Sequence, residues 1–291
     1  MRLQPVLSNL GTGTLVMGIL NITPDSFSGD GLLSQHDPVN SALEQARQFV
    51  NNGAHILDIG GESTRPGSQP ISADEELSRV LPVVIALSKE FPEILLSVDT
   101  YKAQVAQKVL QAGAHWINDV WGLRADPALA EVIARHQAHV VLMHNRSKPG
   151  SVEISDQLGG HYIGSHYVDL LAEVKSELMA SVALARKAGI PDERIILDPG
   201  IGFGKTIAQN LVLVNRLDEI CGLGFPVLLG VSRKSFIGYT LDLPPQERLE
   251  GSLAANAVGI MRGASILRVH DVQETVRLAR MMDAILQASL G

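Results

Sequence analysis

Short runs of aliphatic and β-branched residues alternate along the chain with longer stretches of helical period, and each run breaks off at a polar or glycine-containing segment. In order the runs are TLVMGILNIT, HILDIGG, ILLSVDT, WINDV, HVVLMH, IILDPG, PVLLGVS and ILRVHD, which predicts eight strands. Between them lie PVNSALEQARQFVNN, ADEELSRVLPVVIALSKE, YKAQVAQKVLQ, YVDLLAEVKSELMASVALARKA, GSLAANAVGIMRG and VQETVRLARMMDAILQ. Their apolar residues fall three and four apart, as Val105, Ala106, Val109 and Leu110 do, so each helix has one face to lay on a sheet.

Gly53-Ala54, Gly113-Ala114 and Gly263-Ala264 each close a helical stretch just before a strand, where glycine tolerates the left-handed backbone that ends helices. This reads as a repeated helix-to-strand joint. Continuous apolar strands alternating with helices imply a parallel sheet covered by helices. Eight such units fit a single (β/α)₈ barrel of about 250 residues plus modest extensions. No Pro/Ser/Gly-rich linker divides the chain, so residues 1–291 are expected to form one domain; an open doubly wound sheet is the structural alternative. PGSVEISDQLGGHY, Pro149 to Tyr162, reads as a loop insertion after the fifth strand.

Of the 291 residues 45% are hydrophobic and 19% charged, enough to bury a sizeable core. The net charge of -7 argues against a nucleic-acid surface or a polybasic membrane face, yet leaves room for a small anion held by a few local cations. Cys221 stands alone, so neither an internal disulfide nor a cysteine zinc site is expected, and a reducing compartment is the natural reading. TLVMGILNIT is too short to span a bilayer and lacks the flanks of a signal peptide, which points to the cytoplasm.

In a parallel barrel the site lies at the carboxyl ends of the strands. The polar residues there are Asn21; Asp58 and Glu62 with Thr64 and Arg65; Asp99; Asn118 and Asp119; His144; Asp198; Ser232, Arg233 and Lys234; Arg268 and His270. Helix caps explain some of the Asp, Asn and Ser residues, but not Arg65, Lys234, Arg268 and His270. No HExxH, GxSxG or strand-end cysteine is present, so a covalent mechanism has little support. GIGFGKT, Gly200 to Thr206, falls short of a phosphate-binding loop because Pro199 stands where that pattern needs glycine. Its glycines instead suit close backbone approach to a ligand.

The set fits a clamp for a polar heterocycle joined to a phosphate grip. Asp99, Asp198 and the Asn118 amide can pair with adjacent N–H donors on a guanidine-like ring edge. Arg65, Arg268 and His270 can meet diphosphate oxygens. Asn21 can add an oxygen to a magnesium ion, which keeps most of its waters and takes phosphate oxygens readily. His144 reads as a supporting residue.

MGILNITPDSFS, DIGGESTRPGS, SVDTYK, INDVWG, LDPGIGFGK, LGVSRKSFIG and RVHDV, in this order, resemble the motifs of the dihydropteroate synthase family along nearly the whole chain. The resemblance implies a (β/α)₈ TIM barrel with mobile loops at the C-terminal ends of its strands. It also implies condensation of 6-hydroxymethyl-7,8-dihydropterin diphosphate with 4-aminobenzoate, a Mg2+ ion, and a homodimer. By motif position, Asp99, Asn118, Asp198 and Lys234 would contact the pterin, with Met143 and Phe203 packing near it and Val269 among the substrate-binding residues. Thr64, Arg65, Arg268 and His270 would hold diphosphate, Asn21 would bind magnesium, and Ser232 with Arg65 and Pro66 would receive aminobenzoate. Arg65, Lys234, Arg268 and His270 are the expected catalytic residues, and the DIGGESTRPGS loop is expected to close over the site.

Two stretches depart from the family. SFSGDG, Ser26 to Gly31, replaces the usual SFSDGG and leaves the role of Asp30 open; MHNRSKPG replaces MHMQG, so Asn145 and Arg146 alter the loop beside His144 and bear on substrate access. A pterin-dependent methyltransferase would have no use for a diphosphate grip, and a non-catalytic pterin-binding paralogue would not need both halves of the constellation.

Overall fold

All eight predicted runs are strands, and nearly every strand residue is buried because helices cover the sheet outside while side chains fill it inside. The computed structural model describes residues 13–23, 37–63, 68–148, 152–155 and 157–288. The barrel strands are β1 (Leu15–Asn21), β2 (Ile56–Gly60), β3 (Leu95–Asp99), β4 (Trp116–Asp119), β5 (His139–Met143), β8 (Ile195–Asp198), β9 (Leu228–Leu229) and β10 (Ile266–Val269). They pair in parallel in the order β8-β5-β4-β3-β2-β1-β10-β9. A parallel bridge between Leu197 and Val227, with Leu197 N–H donating to Pro226 O at 2.9 Å, closes the ring.

The predicted helices are α1 (Pro38–Asn51), α2 (Ala73–Glu90), α3 (Ala103–Gln111), α5 (Leu170–Lys187), α9 (Leu249–Met261) and α10 (Val272–Gln287), to which the structure adds α4 (Leu129–His136), α6 (Ile207–Asn215), α7 (Asp218–Cys221) and α8 (Ser235–Leu241). The added helices are short, which leaves little room for a periodic pattern. Starts follow local chemistry: Asp37 accepts from Asn40 N–H ahead of Pro38, Ser72 accepts from Glu75 N–H, and Thr206 with Gln209 forms a reciprocal capping box. The repeated joint is a helix-ending motif. Gly53, Gly113 and Gly263 have φ of +94°, +114° and +98°, and the following alanine donates back to Phe49, Val109 and Gly259 respectively.

Pro149 to Tyr162 is more ordered in kind than a loop insertion. Its described part contains an antiparallel hairpin, β6 (Val152–Ser155) with β7 (Gly159–Tyr162), seated on α8. The two strands are only four residues long, and although VEIS alternates, GGHY carries two glycines and no alternation, so the sequence pattern does not announce a pair.

Inside, Leu15, Met17, Ile56, Leu95, Trp116, Val141, Ile196, Leu228 and Ile266 plug the lower barrel. Strand period then dictates what sits above. Two residues further along each strand come Ile19, Asp58, Ser97, Asn118, Met143, Asp198, Gly230 and Arg268, and two beyond that Asn21, Asp99, Ser232 and His270. Alternate residues such as Leu57, Leu96, Val140, Leu197 and Leu267 belong to the larger cluster between strands and helices. A hydrophobic plug below a polar layer thus follows from each strand turning from apolar to polar at its inward positions.

Candidate active site

The polar layer is tied together by charge. Arg268 Nε donates to Asp58 Oδ2 at 2.6 Å and its Nη2 to Asp99 Oδ2 at 2.9 Å, while Asn118 Nδ2 donates to Asp58 Oδ2 at 3.1 Å. Asp58 is fully buried, and its other oxygen has no hydrogen-bond partner among the described residues. Burial lifts the Asp99 carboxyl to about 7 despite Arg268, with the Asp58 charge adding to the rise. Burial also raises Asp198, against the pull of Lys234, and lowers the Lys234 ammonium to about 8, against the pull of Asp198. Burial works against the charge on Arg268, but Asp58 and Asp99 outweigh it and raise its pKa. The result is a buried cluster of three carboxylates and two cations, in which Asp99 and Lys234 are shifted toward neutrality.

Above the cluster opens a cavity of about 220 Å³. Asn21, Asp99, Phe203, Ser232, Lys234, Arg268 and His270, all named from the sequence, line it. His270 Nδ1 lies 3.1 Å from Ser232 Oγ, and Lys234 Nζ lies 4.9 Å from the Phe203 ring centroid and bonds Ile201 O. Asn118, Asp198 and Met143 are buried at inward positions of the adjoining layer. Val269 is the exception. Its side chain packs outward with Leu267 in the helix-facing core, because it alternates with Arg268, and it does not line the cavity. Arg268 commits two donors, Nε and Nη2, to Asp58 and Asp99. Thr64, Arg65 and Pro66, and the SFSGDG stretch with Asp30, lie outside the described residues.

Local strain aims the SRK segment. Arg233 has φ of +56°, a conformation that L residues other than glycine seldom hold. It is pinned by Nε to Asp271 Oδ2 at 3.0 Å, by its N–H to Ser252 Oγ at 2.9 Å, and by Arg248 Nη1 on its carbonyl at 3.0 Å. The turn lets Ser232 and Lys234 both face the cavity.

Several supporting residues escape a search of strand ends for ligands. Asp58 is visible as a strand-end carboxylate, but its role as organiser of Arg268 and Asn118 depends on contacts more than fifty residues apart in sequence. Lys205, in GIGFGKT, is 1% exposed; burial lowers its ammonium to about 7, with Asp198 acting in the opposite sense. Its Nζ donates to Gly200 O at 2.8 Å and Phe203 O at 3.1 Å and sits 3.0 Å from His144 Nδ1. It therefore holds the loop bearing Phe203. Gly200, at φ +69°, passes so close to His144 that an added Cβ would lie 1.8 Å from the His144 carbonyl oxygen. Burial, reinforced by Lys205, depresses the His144 pKa, so the ring is neutral and supports the loop; its Nε2 lies 3.1 Å from Glu177 Oε2 without hydrogen-bond geometry. Glu62 accepts from Tyr101 at 2.9 Å and from Lys102, anchoring the stem of the DIGGES segment.

Asp119 turns away from the cavity and accepts backbone N–H groups of Trp121 and Leu123, a turn role. Asn145 and Arg146 likewise brace the outside. Asn145 Nδ2 donates to Val120 O, while Arg146 pairs with Glu173 and Glu177 and lies 4.3 Å over the Tyr167 ring. Neither lines the cavity, and Pro149 and Gly150 at the end of MHNRSKPG lie outside the described residues.

A magnesium ion fits the donor set at Asn21. The side chain is half-buried at the end of β1, lines the cavity, and offers a hard neutral oxygen beside Gly60. Among the described residues no group of three or more His, Cys, Asp or Glu would hold a metal unaided. Magnesium is suited to such a sparse site, since phosphate oxygens and water complete its shell.

The sequence profile of the family described as Pterin binding enzyme matches residues 17–270. A curated dihydropteroate synthase of Bacillus subtilis is 51% identical over 273 residues, covering 94% of this chain and 89% of its own. Among solved structures, dihydropteroate synthase of Clostridium difficile in the presence of pteroic acid superposes with a TM-score of 0.86 at 44% identity, covering 96% of this chain and 99% of that one. The Xanthomonas albilineans dihydropteroate synthase with 4-aminobenzoic acid gives 0.84 at 41% identity, covering 95% and 94%. The likeness spans plug, polar layer and cavity alike, and the chain belongs to the dihydropteroate synthases of the pterin-binding enzyme family.

Proposed function

We propose that this enzyme condenses 6-hydroxymethyl-7,8-dihydropterin diphosphate with 4-aminobenzoate to give 7,8-dihydropteroate and diphosphate. The observation that carries the reading is the buried cluster of Asp58, Asp99, Asn118, Asp198, Lys234 and Arg268 beneath a cavity edged by Asn21, Ser232 and His270. Relatives solved with pteroic acid and with 4-aminobenzoic acid support the same two ligand classes.

The pterin enters first, its N–H edge meeting Asp198, Asp99 and the Asn118 amide, its carbonyl facing Lys234. Charge-assisted contacts of this kind are strong where water is excluded. Phe203 and Met143 supply apolar surface for the ring faces. The diphosphate then points to Asn21 and His270, and toward Thr64 and Arg65 on the DIGGESTRPGS loop. As the C–O bond breaks, negative charge grows on the departing oxygen, so cationic groups there favour the transition state over the ground state. Bound at Asn21, magnesium would supply further positive charge at the diphosphate oxygens. The neutral arylamine nitrogen forms the new C–N bond at the exocyclic methylene and loses a proton to solvent or diphosphate. Its attack needs position more than a strong base, which suits a site with no nucleophile or general base of its own.

The exposed apolar residues Leu211 and Val212 on α6, Leu241 on α8, and Val258 and Met261 on α9, helices that pack on one another, support a homodimer. We further propose a single pterin-binding unit over residues 1–291 acting in the cytoplasm; among the described residues no helix is long and apolar enough to cross a membrane. Formation of 7,8-dihydropteroate by the purified protein from both substrates tests the reading; absence of product at micromolar enzyme counts against it.

A further inference from the structure

Among the described residues, the β6–β7 hairpin is the one strand pair at the cavity that lies outside the barrel sheet, and no sequence motif of the site accounts for it. Its tip is fixed in place. Arg248, 2% exposed, donates Nη2 to Leu158 O at 2.9 Å, Nη1 to Arg233 O at 3.0 Å and Nε to Leu243 O at 3.0 Å. One guanidinium therefore joins the hairpin tip to the strained turn that presents Lys234. Tyr239 on α8 adds a hydrogen bond to Gly159 O at 3.2 Å, and its ring meets His161 at 4.4 Å between centroids. Held from two sides, Leu158, Gly159 and Gly160 line the cavity with Phe203, Ser235 and Pro245.

This wall has the chemistry of a ring slot. Leu158, Phe203 and Pro245 offer apolar surface, and the two glycines bring backbone close without bulk. It also lies at the mouth. The carboxylate cluster occupies the inward strand positions, whereas the hairpin reaches the cavity over α8, so the ligand it touches is the one that enters after the floor is filled. We propose that the hairpin tip is a specificity wall for the arylamine, with Leu158 limiting the ring substituents that fit and Arg248 positioning the tip against the Lys234 turn. This rests on the reading of the second substrate given above.

The test compares 4-aminobenzoate with its 2-methyl and 3-methyl derivatives on wild-type enzyme and Leu158→Ala. A methyl group in an apolar pocket is worth roughly 10-fold or more in kcat/KM, so the variant is expected to raise kcat/KM for at least one methylated amine, relative to 4-aminobenzoate, by about that factor. The KM for the pterin diphosphate is expected to stay within about twofold, which separates a wall from general loosening of the site. Arg248→Lys, which cannot reach three carbonyls in one plane, is expected to raise the KM for the arylamine in the same selective way. Relative kcat/KM values unchanged in Leu158→Ala, or a rise in pterin KM that matches the rise in arylamine KM, would overturn the hairpin assignment alone. A wild-type enzyme that forms no product from 4-aminobenzoate overturns the functional reading and this inference with it.

Discussion

Arg268 and Asp58 meet inside the barrel at 2.6 Å, Nε to Oδ2, and the same oxygen receives the Asn118 amide. One carboxylate that does not itself line the active-site cavity thus sets the pose of Asn118, assigned to the pterin, and of Arg268 beside it. Asp58→Asn keeps the volume and removes the charge, leaving Arg268 with Asp99 alone. We expect kcat/KM for the pterin diphosphate to fall roughly 10- to 100-fold, the scale of a charged hydrogen bond of about 1.5–3 kcal/mol, with a loss of thermal stability. Steady-state kinetics that match wild type would contradict this role.

The raised Asp99 and lowered Lys234 predict a narrow pH optimum. Below about 7 Asp99 takes up a proton in the free enzyme and loses its value as an acceptor; above about 8 Lys234 loses its charge. The kcat/KM for the pterin diphosphate should therefore be bell-shaped, rising to about 7 and falling beyond about 8, with both limbs belonging to the coupled cluster. Asp99→Asn should lower the plateau and abolish the acid limb. A variant that keeps the wild-type acid limb would show that another group governs it.

Lys205→Met retains length and removes the donors to the Gly200 and Phe203 carbonyls. Gly200 O keeps the Phe203 N–H, but Phe203 O is left without its donor at a cost of about 1–3 kcal/mol, so the urea midpoint should drop clearly. Because the loop carries Phe203, the KM for the pterin diphosphate should rise more than that for 4-aminobenzoate. Equal stability and equal KM values would show that the loop holds itself.

The fold is legible because each strand is an apolar run ending in polar residues, and that turn from apolar to polar reproduces the boundary between plug and site. Asp99, Asp198, Lys234 and His270 can be read directly, since a charged group at the end of a buried strand is costly unless a partner or a ligand meets it. What escapes depends on contacts distant in sequence. Asp58 is legible as a carboxylate but not as the partner of Arg268 at 210 positions' separation, and Lys205 reads as a solvent lysine until its burial is known. The β6–β7 hairpin is two four-residue strands, the second opening on two glycines, and its place depends on Arg248, 90 positions from Leu158. Val269 enters the expected set through its neighbours in RVHDV, although strand period turns its side chain outward.

His139 predicts acid sensitivity at the other end of the barrel. It stacks on Trp116 with ring centroids 5.3 Å apart, and burial, aided by Arg194, lowers its pKa to about 4. The unfolded chain binds this proton near 6.5, so the contribution is intact above that pH and is lost as pH falls from about 6.5 toward 4. Raised Asp99 and Asp119 work in the opposite sense, because the folded protein takes up their protons before the unfolded chain does. His139→Gln should separate the two: its stability difference from wild type, by urea unfolding, should shift in the variant's favour by about 1–2 kcal/mol between about pH 7 and pH 5. A pH-independent difference would mean that His139 titrates normally.

Diphosphate release by the purified enzyme tests the central claim most directly. With magnesium, 6-hydroxymethyl-7,8-dihydropterin diphosphate and 4-aminobenzoate together, release should match 7,8-dihydropteroate formed one to one, and omission of the amine or of magnesium should each reduce it to near background. Release that proceeds equally without 4-aminobenzoate, or none with all three present, would contradict the account.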